Sequence, residues 1–251
     1  PEIAMAVDSH AHLEVLIGNL KAAVTSKDSQ EIANAANVLG SIDGDGPNSE
    51  KLRCDLRELG TDRSEGVAAE LNETLQAALD VGETEDSFMV RWAVVVVLAK
   101  IAKAAAIAVP TMTQSLMAPS CPSVPGAVRA RTSTVFALAD LQDCLPEDCI
   151  APAAPALASI LAGTGDGEGA RALAAFVLGR LGEHALPFAL LLGQVVSDPA
   201  PQVRMSVIGA LGNMGPLAFP LASQLADLAT DMSECEDVRT AAAEAFESIT
   251  G

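Results

Sequence analysis

Asp198-Pro199-Ala200-Pro201-Gln202-Val203-Arg204-Met205-Ser206-Val207-Ile208-Gly209-Ala210-Leu211-Gly212 is the stretch that decides the fold class. Its first residues, with Ser197, form a turn, because Pro cannot continue a helix. The residues after that turn are amphipathic. Val203, Val207, Leu211 and Met214 stand at offsets −1, +3, +7 and +10 from Arg204, which is one stripe of a 3.6-residue helix. Gly212 then closes the stretch, glycine readily terminating a helix.

The same signal recurs. Small-apolar-then-Arg pairs stand at Val90-Arg91, Val128-Arg129, Ala170-Arg171 and Val238-Arg239, spaced 38, 42, 33 and 35 residues apart when Arg204 is included. Seven residues beyond each Arg come Leu98, Phe136, Leu178, Leu211 and Phe246; ten beyond come Ile101, Ala139, Leu181, Met214 and Ile249. A degenerate copy without the Arg aligns at Glu31-Ile32, with Leu39 and Ile42 in the later places. Between copies lies a second helical pattern: Ile3 to Val24, Val67 to Leu79, Ile107 to Met117, Ile150 to Leu161, Leu186 to Val196 and Leu217 to Ala229. One such pair cannot bury its apolar stripe alone, whereas stacked pairs build a continuous core.

With those residues in place, the chain resembles the HEAT-repeat family, in which two antiparallel helices repeat and the second opens with an Asp-x(n)-Val-Arg signature. Asp198 with Val203-Arg204 matches best; Asp166 before Arg171 and Asp86 before Arg91 are similar at shorter spacing. Prolines 110, 152, 155, 187 and 220 also resemble the family, whose first helix is commonly kinked. The resemblance implies an all-α, right-handed α-solenoid of about six antiparallel helix pairs, a single domain over 1–251 with regular HEAT-like repeats over 66–250. The ladder residues are Asp86, Arg91, Arg129, Asp166, Arg171, Asp198, Arg204 and Arg239. Each Arg, at the margin of a buried stripe, is expected to bond an acidic residue of an adjacent repeat.

Composition agrees with a helical stack. The 251 residues are 50% hydrophobic but only 3% aromatic, with 46 alanines that permit close helix contacts. Strands are disfavoured by that usage, and disorder by the apolar fraction. Thirty-three acids against 15 bases, a net charge of −18, disfavour nucleic-acid binding. The acids gather at Glu83 to Asp86, Asp140 to Asp148 and Asp227 to Asp237, near the expected turns. Trp92 to Val109 is the most membrane-like stretch, but Lys100 and Lys103 interrupt it, so no membrane span is expected.

Ile32 and Arg91 are 59 residues apart, so a repeat here carries an insertion over 43–65, read as a loop with a short helix around Glu50 to Leu59. Insertions in solenoids emerge on one face and contact partners. Asp43, Asp45, Asn48, Glu50, Arg53 and Arg57 are therefore the candidate partner-contact residues.

Other chemistry reads poorly. A calcium loop from Asp43 would need Gly and Glu where Asn48 and Cys54 stand. The Gly163-to-Gly169 glycines lack a following Gly-Lys-Ser/Thr and include Asp166 and Glu168, which repel an anion. His10 and Glu14 share a helix face from which His12 points away, and Cys144 with Cys149 lacks a second spaced pair, so a metal site on either set is the weakest option. His184 has no nucleophile beside it in sequence, and no His-Glu dipeptide occurs, unlike in HEAT-like metal hydroxylases. No catalytic, metal-binding or cofactor-binding residue is assigned.

The expectation is a non-enzymatic scaffold, adaptor or peripheral complex subunit. It would bind a protein with a basic or neutral surface through its concave inner helices and acidic turn edge. The five unevenly spaced cysteines suit an intracellular compartment, cytoplasm or organelle interior, with a processed N-terminus an option. The alternative is an enzyme or chaperone on the same scaffold: bilin-attaching lyases use HEAT-like repeats of similar short, Ala-rich units.

Overall fold

The computed structural model describes residues 11–117 and 124–251. These are all-helical, with no strand among them. The expected helical start at Ile3, His10, and most of the turn from Pro119 to Gly126 lie outside the described residues. Contacts divide the chain into two compact units, Pro1–Ser115 with Ser123–Ala137, and Leu116–Pro122 with Leu138–Gly251.

In the first unit, α1 (Ala11–Ser26) and α2 (Ser29–Gly40) are joined through Lys27 and Asp28. The Asp28 carboxylate accepts the N–H groups of Gln30 and Glu31, each at 3.0 Å, capping α2. α3 (Pro47–Arg57) opens on a proline, whose missing N–H costs nothing at a first helical position. α4 (Thr61–Val81) and α5 (Glu85–Lys100) form a hairpin; α2 lies on α5, and α1 on α2 and α4. Leu13, Ile17, Leu39, Leu71, Leu75, Val94 and Leu98 are fully buried there. The Val94–Val97 run is thus the interior of α5. α6 (Val109–Met117) and α7 (Pro125–Gln142) are each divided between the units.

The second unit contains α8 (Glu147–Ile150), α9 (Ala154–Ala162), α10 (Glu168–Gly179), α11 (Ala189–Val195), α12 (Pro201–Met214), α13 (Ala222–Thr230) and α14 (Glu236–Thr250). α12 is packed between α10 and α14, while α9 lies on α10 and α13 on α14. The stripe read from Arg204 is the core: Val203, Val207 and Leu211 are completely buried, and so are Ala174 and Leu178, and Val238 and Ala242.

The first helices of the pairs are less regular than a uniform α-helical reading. Ala102–Ala108, Gly182–Phe188 and Gly215–Leu221 are 3-10 segments running directly into α6, α11 and α13. Pro187 and Pro220 sit inside two of them, where the absent N–H weakens i→i−4 bonding and the tighter turn is tolerated. Each segment opens with a left-handed residue eleven positions past the repeat Arg: Ala102 (φ 48), Gly182 (φ 51) and Gly215 (φ 54). Only glycine adopts that region without strain. Ala102→Gly is accordingly expected to raise unfolding free energy by about 0.5–1 kcal/mol, read from the denaturant midpoint, where a helical alanine would lose stability instead.

Residues 201–230 are one helical run long and apolar enough, by length and composition, to cross a membrane. Gly215 interrupts it with its left-handed backbone, and 44% of its most apolar window is buried inside the fold.

Candidate protein-binding surface

The second unit links its turns through arginine. Arg171 on α10 makes a two-pronged ion pair with Asp198, twenty-seven residues on, with Nη2 donating to Oδ1 at 3.0 Å and Nη1 closer still to Oδ2. Asp198 also accepts the Ala200 N–H at 2.9 Å, and its backbone carbonyl accepts Arg204 Nη1 at 2.8 Å. Arg204 Nη2 donates to Glu234 at 2.7 Å, and the Glu234 carbonyl accepts Arg239 Nη1 at 2.7 Å. The chain Arg171–Asp198–Arg204–Glu234–Arg239 thus ties α10 to two successive turns. Arg204 serves twice, holding the carbonyl of its own turn and the carboxylate of the next.

Burial pushes the Asp198 carboxyl up, but the Arg171 hydrogen bonds, the Ala200 N–H and the charges of Arg171 and Arg204 outweigh it and hold it below the usual carboxylate range. A depressed acid stabilises the fold above its unfolded pKa of about 3.9 and loses that contribution as pH falls through the folded value. Asp198→Ala is expected to cost about 3 kcal/mol, because Arg171 is left nearly buried without its carboxylate. Acid titration should show the wild type losing stability below about pH 4 more steeply than Asp198→Asn.

In the first unit the pattern changes. Arg91 is 1% exposed and pairs with Glu83 at 3.1 Å, while its other nitrogens donate to Ser115 Oγ and the Ser115 carbonyl at 3.0 and 2.9 Å. Asp86 instead accepts from Ser29 Oγ on α2. The bond expected from Arg91 to an acid of an adjacent repeat is therefore corrected: its carboxylate partner is Glu83, eight residues before it and one residue before the Thr84 cap of α5. Asp166 is buried in the turn before α10.

Arg129 is also corrected. Its guanidinium lies 4.0 Å from the Trp92 ring centre, on the exposed side of α7, and Phe136 is 52% exposed. The buried stripe starts from Arg131: Ala130, Thr134, Leu138 and Leu141 are all completely buried, at the −1, +3, +7 and +10 offsets from that arginine instead. Two Arg residues two apart, each preceded by a small apolar residue and each followed by Thr at the +3 place, make the register ambiguous in sequence; the larger Leu141 against Ala139 at the +10 place is the signal that favours Arg131.

The short helix expected around Glu50 to Leu59 within 43–65 is α3, Pro47–Arg57, and less of the segment is loop than expected. Asp43 ends a 3-10 turn, Ser41–Asp43, and α4 begins at Thr61 rather than Val67. Arg53 organises it, donating to the carbonyls of Ile42 and Gly44 at 3.1 and 2.9 Å and to Glu50 at 2.9 Å. That hydrogen bond, with Arg53's charge, holds the Glu50 carboxyl below its ordinary value. Asp43 meets Lys100 at 3.1 Å. Asp45, Asn48 and Arg57 are exposed. Arg53 is thus chiefly internal, and the exposed residues are what a partner would meet.

Cys144 is exposed and Cys149 half-buried, both as free thiols, and His184 Nε2 lies 3.0 Å from Asp148. Among the described residues no group of three or more His, Cys, Asp or Glu is placed to hold a metal ion.

No family model matches the chain, and no curated protein matches it. A crystal structure described as an engineered protein, a target of the Northeast Structural Genomics Consortium, is similar in fold. Its TM-score is 0.60 at 18% identity, over 95% of this chain and 96% of that one.

Proposed function

We propose that this chain is a right-handed α-solenoid of about six HEAT-like helix pairs acting as a non-enzymatic scaffold or peripheral subunit. It binds a protein of basic or neutral surface through the second helices of its pairs and through the acidic turns. The observation that carries this reading is a contrast on α10 and α12. One face of each builds the core, while the other exposes Phe176 and Met205, each 40% accessible. Scattered exposed apolar residues are ordinary, but these two stand on helices that pack directly against each other. Exposed Glu147, Asp148, Glu183, Glu236 and Asp237 give the turns their negative charge. The free thiols agree with a reducing intracellular compartment.

The test is recovery from native extract with the purified chain as bait. A defined partner should be retained at physiological salt and released as salt rises, since exposed charges are screened within about 10 Å. Recovery as a lone monomer would sink the reading.

A further inference from the structure

Gly209 stands in the middle of α12, exposed, and a Cβ added there would meet nothing within 4 Å. A glycine in a helix interior weakens it, and here no packing requirement offsets that loss. Gly18 and Gly66 are open in the same way. Gly209 differs in what surrounds it. Met205 precedes it by one turn and Asn213 comes one turn after it, so the three share a face of α12. On the neighbouring α10, Phe176 and Arg180 are likewise one turn apart, with the guanidinium 5.5 Å from the ring centre. The two stripes converge, because Arg180 and Asn213 both line a cavity of about 290 Å³, together with Gln142, Leu145, Glu147, Gly179 and Gly182.

The cavity's chemistry selects a cation. Gln142 Nε2 donates to the Val177 carbonyl at 2.9 Å, which turns the amide inward and leaves Oε1 buried. Arg180 is neutralised by Asp143 at 2.8 Å, so the exposed Glu147 carboxylate is the uncompensated charge at the mouth. We infer that the α10–α12 face is a groove for an extended peptide segment of a protein partner. The peptide backbone crosses α12 at Gly209, an apolar side chain rests between Phe176 and Met205, and a lysine or arginine enters the cavity towards Glu147. This rests on the scaffold reading and names the segment that the scaffold would hold.

Fluorescence anisotropy with a labelled (Leu-Lys)3 amide probe, against a (Leu-Gln)3 control, tests it on the full chain. The lysine peptide should bind at least about tenfold more tightly than the glutamine peptide, because a like-sized neutral side chain leaves Glu147 unmatched. Glu147→Gln should weaken binding about fivefold, whereas Asp227→Asn, an exposed acid on α13, should leave it unchanged. Gly209→Leu is the decisive variant. It should raise the Tm by about 2 °C, since leucine is the better helix former, while abolishing binding. Binding that survives Gly209→Leu would overturn the groove even if the acidic edge still retains basic partners. Equal loss with Asp227→Asn would reduce the effect to unspecific charge and overturn it too. A native-extract partner whose retention ignores Gly209→Leu would leave the scaffold reading standing and end this one.

Discussion

Gly179→Ala should lower unfolding free energy by about 3 kcal/mol, at the upper end of what overpacking a single methyl usually costs. Gly179 is the last residue of α10, and a Cβ there would lie 2.6 Å from Ala210 Cβ and closer still to its Cα on α12. Because the obstacle is backbone, no rotamer change relieves it, and the two helices must separate. Separation is expensive here, since interiors pack to crystal density and α12 is held by α14 on its other side. Ala210→Gly should fail to rescue the variant, as the Cα would still be met. Gly212→Ala, whose Cβ would meet Ala245 at 3.2 Å, should cost only about 1 kcal/mol, because a few tenths of an ångström suffice. Urea unfolding with an unchanged m-value measures all three, and a Gly179→Ala midpoint equal to wild type would show that the helices are not this close.

Gly179 and Gly212 also show how much of the fold was legible in the chain's residues. Both stand eight residues after a repeat arginine, as Gly40 does after Ile32 of the degenerate copy. In sequence they look like helix stops; in the fold they are contact points, and a Cβ on Gly40 would strike the Trp92 ring. The stripe offsets were legible because burial tracks 3.6-residue periodicity directly, as Val203, Val207 and Leu211 demonstrate. Partner choice was not. Glu83 prevails over Asp86, and Glu234 joins Arg204, through distances across turns that linear spacing does not encode. The 3-10 openings were half legible: Pro187 and Pro220 announced an irregularity, but the left-handed Ala102 carries no signal in its residue type. Of the candidate surface, the turn acids were visible as clusters. Gly209 was invisible, because an open glycine and a contact glycine are the same letter until their neighbours are placed.

Arg91→Ala should be about 4 kcal/mol less stable than wild type, since removing one member of a buried charged network strands the others. The guanidinium has three partners of different kinds: Ser115 Oγ, the Ser115 carbonyl and the Glu83 carboxylate; it also lies 5.1 Å from the Phe88 ring centre. Burial pushes its pKa down, Glu83 holds it up and Arg131 pushes it down again, yet an arginine keeps its charge through any physiological pH. The energetic question is therefore how the charge is accommodated, not whether it exists. Glu83 is one-third exposed and can return to water when Arg91 is lost, so Glu83→Gln should cost only about 1 kcal/mol. The larger loss is at Ser115, whose side chain is fully buried and whose carbonyl would face the gap. Arg91→Met fills the volume without supplying a donor and should recover about 1–2 kcal/mol relative to Arg91→Ala. Arg91→Lys keeps the charge but cannot fork to both Ser115 acceptors and Glu83, so it should remain about 2 kcal/mol below wild type. If Arg91→Lys equals wild type, the charge alone matters; if Arg91→Met does, the buried bonds to Ser115 contribute nothing net. Thermal and urea unfolding of the four variants separates these outcomes. The expected order of damage, smallest first, is Glu83→Gln, Arg91→Lys, Arg91→Met and Arg91→Ala: the first leaves the Ser115 bonds, lysine keeps part of them, methionine none, and alanine adds a cavity.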